Sequence, residues 1–310
     1  MAAALMGLLV AGCELPDWLG ESEGPPLPGE RISVLSLDES LEPDPGISDV
    51  SVQLPQPWRN RAWPDAAGYP TNAMYHLEAG KDLKRAWRVD IGAGSGGEER
   101  LLARPIVAEG HIYTMDAETT VSAFDVKTGD RLWERDLRAE HESSGALGGG
   151  VAYDGGRLFV TTGYGHVYAL EPASGKVIWD HKVGVPMRAP PLAADSRVFA
   201  ITYDNQLFTL LQEDGREMWT HTGLPEDASL LGAPTAAATG DVVVVPYTSG
   251  ELFALRVENG SGLWSDQLVR AARSTPLAAL NEIRGAPVID RNLVIAISHS
   301  GRMAAIDLRT

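Results

Sequence analysis

Few residue sets in this 310-residue chain have types and spacings suited to chemistry. Gly92, Gly94 and Gly97 spell GxGxxG, the pattern by which a glycine turn and a helix N-terminus cradle a pyrophosphate. Only seven residues separate Gly97 from Pro105, where the next strand pattern starts, so there is no room for that helix, and the glycines read as a loop. Gly20, Ser22 and Gly24 match GxSxG, yet they lie in an acidic stretch without the strand and helix a nucleophile elbow needs. The seven histidines (76, 111, 141, 166, 181, 221 and 299) show no metal-ligand spacing, and no DxDxDG loop suggests calcium. No Ser, His and Asp set can be assigned. The expectation is a chain with no catalytic residues, no metal and no cofactor. One residue does invite covalent chemistry: Cys13 is the sole cysteine and follows an apolar run ending Leu9, Val10, Ala11, Gly12. Small residues before such a cysteine are the pattern of a bacterial lipobox, in which the thiol takes a lipid, although no Lys or Arg precedes the run. With Cys13 so used, no disulfide is available.

What must position the remaining residues is a repeat. The phrase GxxxW occurs at Gly129–Trp133, Gly175–Trp179, Gly215–Trp219 and Gly260–Trp264, and a fifth copy begins at Gly301 and runs to Thr310. The tryptophans at 87, 133, 179, 219 and 264 are 46, 46, 40 and 45 residues apart, the period of a four-stranded propeller blade. In the second copy the strands read through Val151 and Tyr153, Leu158 to Thr161, His166 to Leu170, and Ile178 with Trp179. Turns at Asp154-Gly155-Gly156, Gly163-Tyr164-Gly165 and Ser174-Gly175 separate them. The fold class is therefore all-β, a β-propeller of four-stranded antiparallel blades, with about five blades visible. A lone blade would leave one apolar face in water, so each Trp is expected to wedge against the next blade, removing about 150–250 Å² from solvent. Trp87, in the phrase Arg85 to Asp90, has no inner strands ahead of it and is expected to close the ring by pairing with the C-terminal strands.

The rest of the chain divides by composition. Residues 1–13 form the lipoprotein signal. Residues 14–57 hold eight prolines and ten acidic residues against one basic residue, Arg31, and read as a solvated tether. Forty-odd flexible residues span roughly 35–40 Å. Residues 58–84 form a lead-in, with Trp58, Arg59, Arg61 and Trp63 meeting the propeller surface, and 85–310 form the propeller. The net charge of −16 with no basic stripe excludes nucleic acid as a partner.

The phrases AFDVKTGDRLW, ALEPASGKVIW and ALRVENGSGLW resemble the pyrroloquinoline-quinone-type propeller repeat. With the lipobox, the Pro25 to Leu37 tether and the Trp87 phrase, the chain resembles the outer-membrane protein assembly factors of the BamB family. That resemblance implies an eight-bladed propeller, lipid-anchored to the outer membrane and facing the periplasm, so that three further blades are implied and the chain reads as truncated at its C-terminus. It also implies a scaffold that binds the periplasmic domains of the barrel-folding subunit and aids insertion of outer-membrane proteins. The residues matching the family's contact loops are Leu230 and Leu231 before Gly232-Ala233-Pro234, and Asn281, Glu282, Ile283 and Arg284 before Gly285-Ala286-Pro287. The first loop lacks the family's Arg, and Arg284 stands where an acidic residue is often found. The alternative is a quinone-dependent dehydrogenase, which shares the repeat but usually carries a vicinal cysteine pair that this chain cannot form.

Overall fold

The computed structural model describes residues 45–47, 49–97, 100–138, 146–226, 230–268 and 282–310. The chain divides into two compact units, Met1–Gln53 and Leu54–Thr310. Cys13 and residues 14–44 and 48 of the predicted tether lie outside the described residues. Of the first unit, the described part holds one 3₁₀ turn, Pro45–Ile47, followed by residues including Val50 and Val52 that are exposed.

Among its described residues the second unit holds five antiparallel sheets built in chain order. The first holds β1 (Ile106–Ala108), β2 (His111–Met115), β3 (Thr120–Asp125) and β4 (Arg131–Asp136). The second holds β5 (Gly149–Asp154), β6 (Arg157–Thr162), β7 (His166–Leu170) and β8 (Val177–Lys182). Then come β9 (Leu192–Ala194), β10 (Arg197–Ile201), β11 (Gln206–Leu211) and β12 (Glu217–Thr222). The fourth sheet is β13 (Ala237–Thr239), β14 (Val242–Pro246), β15 (Glu251–Arg256) and β16 (Gly262–Gln267), and the fifth has three strands, β17 (Val288–Asp290), β18 (Leu293–Ile297) and β19 (Met303–Asp307). Among the described residues there is no α-helix.

Among the described residues four apolar cores lie between successive sheets. Because side chains alternate along a strand, each middle sheet feeds two of them. In β6, Leu158 and Val160 join the core shared with the first sheet, while Phe159 joins the one shared with the third. In β14, Val243 and Val245 face the third sheet, whereas Val242 and Val244 face the fifth. That double burial is why β14 is an uninterrupted apolar run rather than an alternating one. On the fifth sheet, Leu293, Ile295, Ile297 and Met303 remain exposed.

The GxxxW phrase turns out to be an interlock between neighbouring sheets. Gly129, Gly175, Gly215 and Gly260 all adopt φ between +66° and +78° in the turn joining the last two strands of a blade. A Cβ on each would meet the indole of the preceding repeat: Trp87 at 2.7 Å, Trp133 at 2.5 Å, Trp179 at 2.6 Å and Trp219 at 2.5 Å. The indole N–H then donates to a backbone carbonyl of the same turn region, Trp133 to Pro172 at 2.8 Å, Trp179 to Gln212 at 2.9 Å and Trp219 to Val257 at 3.0 Å. Gly and Trp of one phrase thus serve different interfaces. Trp133, Trp179, Trp219 and Trp264 each also sit opposite the residue just before a register shift, as in Ala169↔Trp179 and Ala254↔Trp264. Trp179 is buried and the others are half-buried, so the ring edge stays wet.

One expectation is corrected and another extended. Arg85–Asp90 forms no ladder with β19, whose partner among the described residues is β18. Trp87 instead lies against Gly129 and donates to Val126 O at 3.2 Å, the place each later Trp takes on the next sheet. The lead-in, moreover, does not just touch the surface at Trp58 to Trp63; it runs along the inner strand edges. Trp63 and Val107 of β1 exchange both backbone bonds, at 2.6 and 2.8 Å. Pro64 O accepts from Tyr153 of β5, Pro70 O from Ala238 of β13 and Thr71 O from Ile289 of β17, each at 2.7–2.8 Å. The Asn72 amide donates to Ala236 O and Pro287 O. Inner strands carry unpaired N–H and C=O groups, and this single segment satisfies part of that need on four sheets.

Candidate partner-docking site

Before the inner strands of the last three sheets the chain writes almost the same words: Arg188-Ala189-Pro190, Gly232-Ala233-Pro234 and Gly285-Ala286-Pro287. Equivalent positions in successive sheets lie side by side, so residues far apart in sequence meet here. The hub is Glu282, only 2% exposed. Its carboxylate accepts the backbone N–H of Leu230 and pairs with the guanidinium of Arg188 at 3.6 Å and that of Arg284 at 3.5 Å. Its own carbonyl accepts from His299 N at 2.7 Å, and Ile283 bridges to Ser298, fixing it to the fifth sheet.

Arg284 lies half out in solvent and donates back to Leu231 O at 2.8 Å and Gly232 O at 3.0 Å. A buried carboxylate and an exposed guanidinium thereby clamp one loop to the other. What the clamp presents outward is Leu231, 51% exposed, beside the half-buried Leu230. Arg188 is 5% exposed, with its guanidinium carbon 4.2 Å from the centre of the Tyr203 ring. Burial pulls its pKa below the usual arginine value, opposed by the charge of Glu282. Tyr203 is itself 47% exposed.

The four described residues predicted from sequence, Leu230, Leu231, Glu282 and Arg284, are therefore brought together, while Asn281 lies outside the described residues. Glu282 differs from the expectation of a rim residue: it is buried and acts as the tie between loops. Arg188 and Tyr203 were missed, although the match of Arg188-Ala189-Pro190 to the two later phrases was a readable signal. The GxGxxG loop is accounted for as well. Gly92 has φ +112° and a Cβ there would lie 2.4 Å from the Asp116 carboxylate, which accepts the amides of Ala93, Glu118 and Thr120. No group of three or more His, Cys, Asp or Glu suited to a metal exists among the described residues. No described helix is long and apolar enough to cross a membrane.

Residues 117–310 match the family model for outer membrane protein assembly factor BamB. The chain belongs to the BamB family. A second model, for the β-propeller domain of glucose, ethanol and alcohol dehydrogenases, matches residues 76–154. The BamB of Yersinia pestis is 28% identical over 231 residues, 73% of this chain and 58% of that protein. The chain thus spans somewhat over half the length of the BamB relative it matches. The crystal structure of BamB from Moraxella catarrhalis aligns with TM-score 0.59 at 21% identity, covering 67% of this chain and 61% of that one. A quinohemoprotein alcohol dehydrogenase from Pseudomonas putida aligns with TM-score 0.61 at 16% identity, covering 80% and 46%. At these identities the two structures establish the shared β-propeller fold, and the assignment to the BamB family rests on the family model.

Proposed function

We propose that this member of the BamB family is a non-catalytic lipoprotein scaffold of the outer-membrane β-barrel assembly machinery. Lipid on Cys13 anchors it to the outer membrane, residues 14–57 form the tether, and the propeller faces the periplasm. The loops at Leu230–Gly232 and Glu282–Gly285 dock the periplasmic domains of the barrel-folding subunit. The observation that carries this reading is the Glu282 clamp, which holds Leu231 outward on a fixed backbone. Exposed apolar side chains on rigid loops are what a docking partner buries. Pre-fixing the loops also lowers the ordering cost of association.

The buried and exposed members of the site call for different variants. Leu231→Glu with Arg284→Ala leaves the Glu282–Leu230 tie intact and removes the outward contacts. Co-purification of the barrel-folding subunit with the full-length lipoprotein should fall at least tenfold while the fold persists; full retention discards this surface. Cys13→Ser should release the protein from the membrane fraction.

The dehydrogenase reading is favoured by the match over residues 76–154 and by the shared fold. The residues do not fit a calcium-bound quinone. There is one cysteine in the chain, so no vicinal pair can form, and the described carboxylates do not converge as metal ligands. A quinone absorption band in the purified protein, or turnover of an alcohol, would favour the enzyme instead.

A further inference from the structure

The lead-in encloses a cleft that the docking loops do not use. Its walls come from the turn Asp65–Gly68, from Tyr69 and Pro70, and from the ends of β1, β5 and β9, and its volume is about 340 Å³. Among the described residues three carboxylates line it, Asp65, Glu109 and Asp154, with two phenols, Tyr69 and Tyr153, and no Lys or Arg.

Asp65 is the unusual member. It is 3% exposed, and its Oδ1, like the Tyr153 hydroxyl, has no hydrogen-bond partner among the described residues. Its turn is closed by paired backbone bonds between Asp65 and Gly68 at 3.0 and 3.1 Å, so the carboxylate is held where it stands. Burial lifts its pKa to about 7, only partly offset by the amides of Ala66 and Ala67. A buried acceptor left without a donor costs roughly 1–3 kcal/mol, and a natural fold keeps such a group where something completes it. The other two carboxylates are placed differently. Asp154 is engaged by the Gln212 amide at 2.8 Å, and Glu109 is exposed at the mouth, in the β1–β2 turn with φ +49°. Burial first, and the neighbouring Glu109 after it, push the Tyr153 phenol above its ordinary pKa, and its ring lies parallel to that of Tyr113, with centroids 6.5 Å apart at 7°.

We propose that this cleft binds an organic cation, the guanidinium or alkylammonium head of a ligand, with Asp65 as its buried counter-charge, Glu109 guiding it at the mouth and the faces of Tyr69 and Tyr153 beside its stem. The chemistry selects this class. Three acids without a base reject anions. The absence of three converging ligands among the described residues argues against a metal ion. Two tyrosines and a buried carboxylate in one lining suit a soft, polyatomic cation with an apolar stem. The same head is carried by a free polyamine and by an Arg or Lys side chain of a polypeptide.

Calorimetric titration of the full chain with spermidine, with N-acetyl-arginine methylamide and with an Arg-containing heptapeptide tests the proposal, with N-acetyl-norleucine methylamide as the uncharged control. Saturable binding of at least one cationic probe is expected, with none of the control. Asp65→Asn, which keeps the shape and can still accept from Ala66 and Ala67, should weaken binding at least tenfold, and Glu109→Gln, at an exposed position, by a smaller factor. Tighter binding of spermidine would identify a free amine as the ligand; tighter binding of the heptapeptide, a polypeptide side chain. No saturable binding to the wild type, or equal binding by wild type and both variants, overturns the site. If Asp65→Asn fails to fold, Glu109→Gln and the uncharged control still decide.

Discussion

Adding one methyl group to Gly215 should show whether the sheets are interlocked as described. Gly215 sits at φ +74°, and a Cβ there would lie 2.6 and 2.8 Å from Cε3 and Cδ2 of Trp179. Ordinary carbon contacts are about 3.5–4.0 Å, so the ring must move by close to 1 Å. Two costs then combine. The left-handed backbone costs an alanine roughly 1–2 kcal/mol, and overpacking a fixed interface costs about 1–3 kcal/mol more. Displacing the indole also strains its 2.9 Å bond to Gln212 O. The total is roughly 2–5 kcal/mol. Gly156→Ala is the matched control: its φ is +77°, and a Cβ there meets nothing within 4 Å. It should carry the backbone cost alone, roughly 1–2 kcal/mol. Urea unfolding of the two variants, read as shifts of the midpoint at unchanged slope, should separate them by about 2 kcal/mol. Equal losses would mean that the Trp and Gly are neighbours without being an interlock.

Trp179→Ala should cost roughly 3–5 kcal/mol, since it opens a cavity beside Phe159 and removes the bond to Gln212; an unchanged denaturation midpoint would contradict inter-sheet packing there. Glu282→Ala strands the buried Arg188 without a counter-charge and should destabilise by about 3–5 kcal/mol, whereas Arg284→Ala, half exposed, should cost under about 1 kcal/mol, both read by urea unfolding. Asp65 gives a pH dependence. Its carboxyl titrates near 3.8 when unfolded and at about 7 when folded, so folding disfavours the charged form. The penalty is absent below 3.8, grows as pH rises and is complete above 7, and at about 1.4 kcal/mol for each pH unit between the two values it is bounded at roughly 4 kcal/mol. The Asp65→Asn variant should therefore gain stability over wild type as pH is raised from 5 to 8; a constant difference between them would refute the burial. The opposite slope belongs to Asp125, Asp136, Asp241 and Asp307, all held below the usual carboxylate value, first by backbone amides at Asp125 and Asp307 and by Arg138 and Arg309 at Asp136 and Asp241. Their support is full above the ordinary Asp pKa and is lost as the solution is acidified through their folded values.

The blade was legible because its rules are local. Gly175 marks a turn needing positive φ, Trp179 marks the strand that follows, and strand limits in the second sheet, Gly149–Asp154 through Val177–Lys182, match the sequence reading closely. The division of labour inside GxxxW was not legible, because the glycine and the Trp of one phrase face different neighbours and only the spatial order of sheets reveals it. The lead-in escaped for a related reason. Trp58 to Glu78 has neither strand nor helix periodicity, and its backbone partners lie in four different sheets, so nothing in its own sequence announces the inner edge. In the docking site the two loops could be picked out by family resemblance, but the burial of Glu282 could not. That depends on Arg188 reaching it from another sheet, a contact between residues nearly a hundred positions apart.

The central claim is that the clamped loops present Leu231 to the barrel-folding subunit. A photo-reactive amino acid placed at position 231 of the full-length lipoprotein, with Ile178 on the outer strand β8 as the exposed control, addresses it in living cells. The account predicts an ultraviolet-dependent adduct with the periplasmic domains of that subunit from position 231 and none from position 178. Adducts of equal yield from both positions, or none from 231, would contradict it.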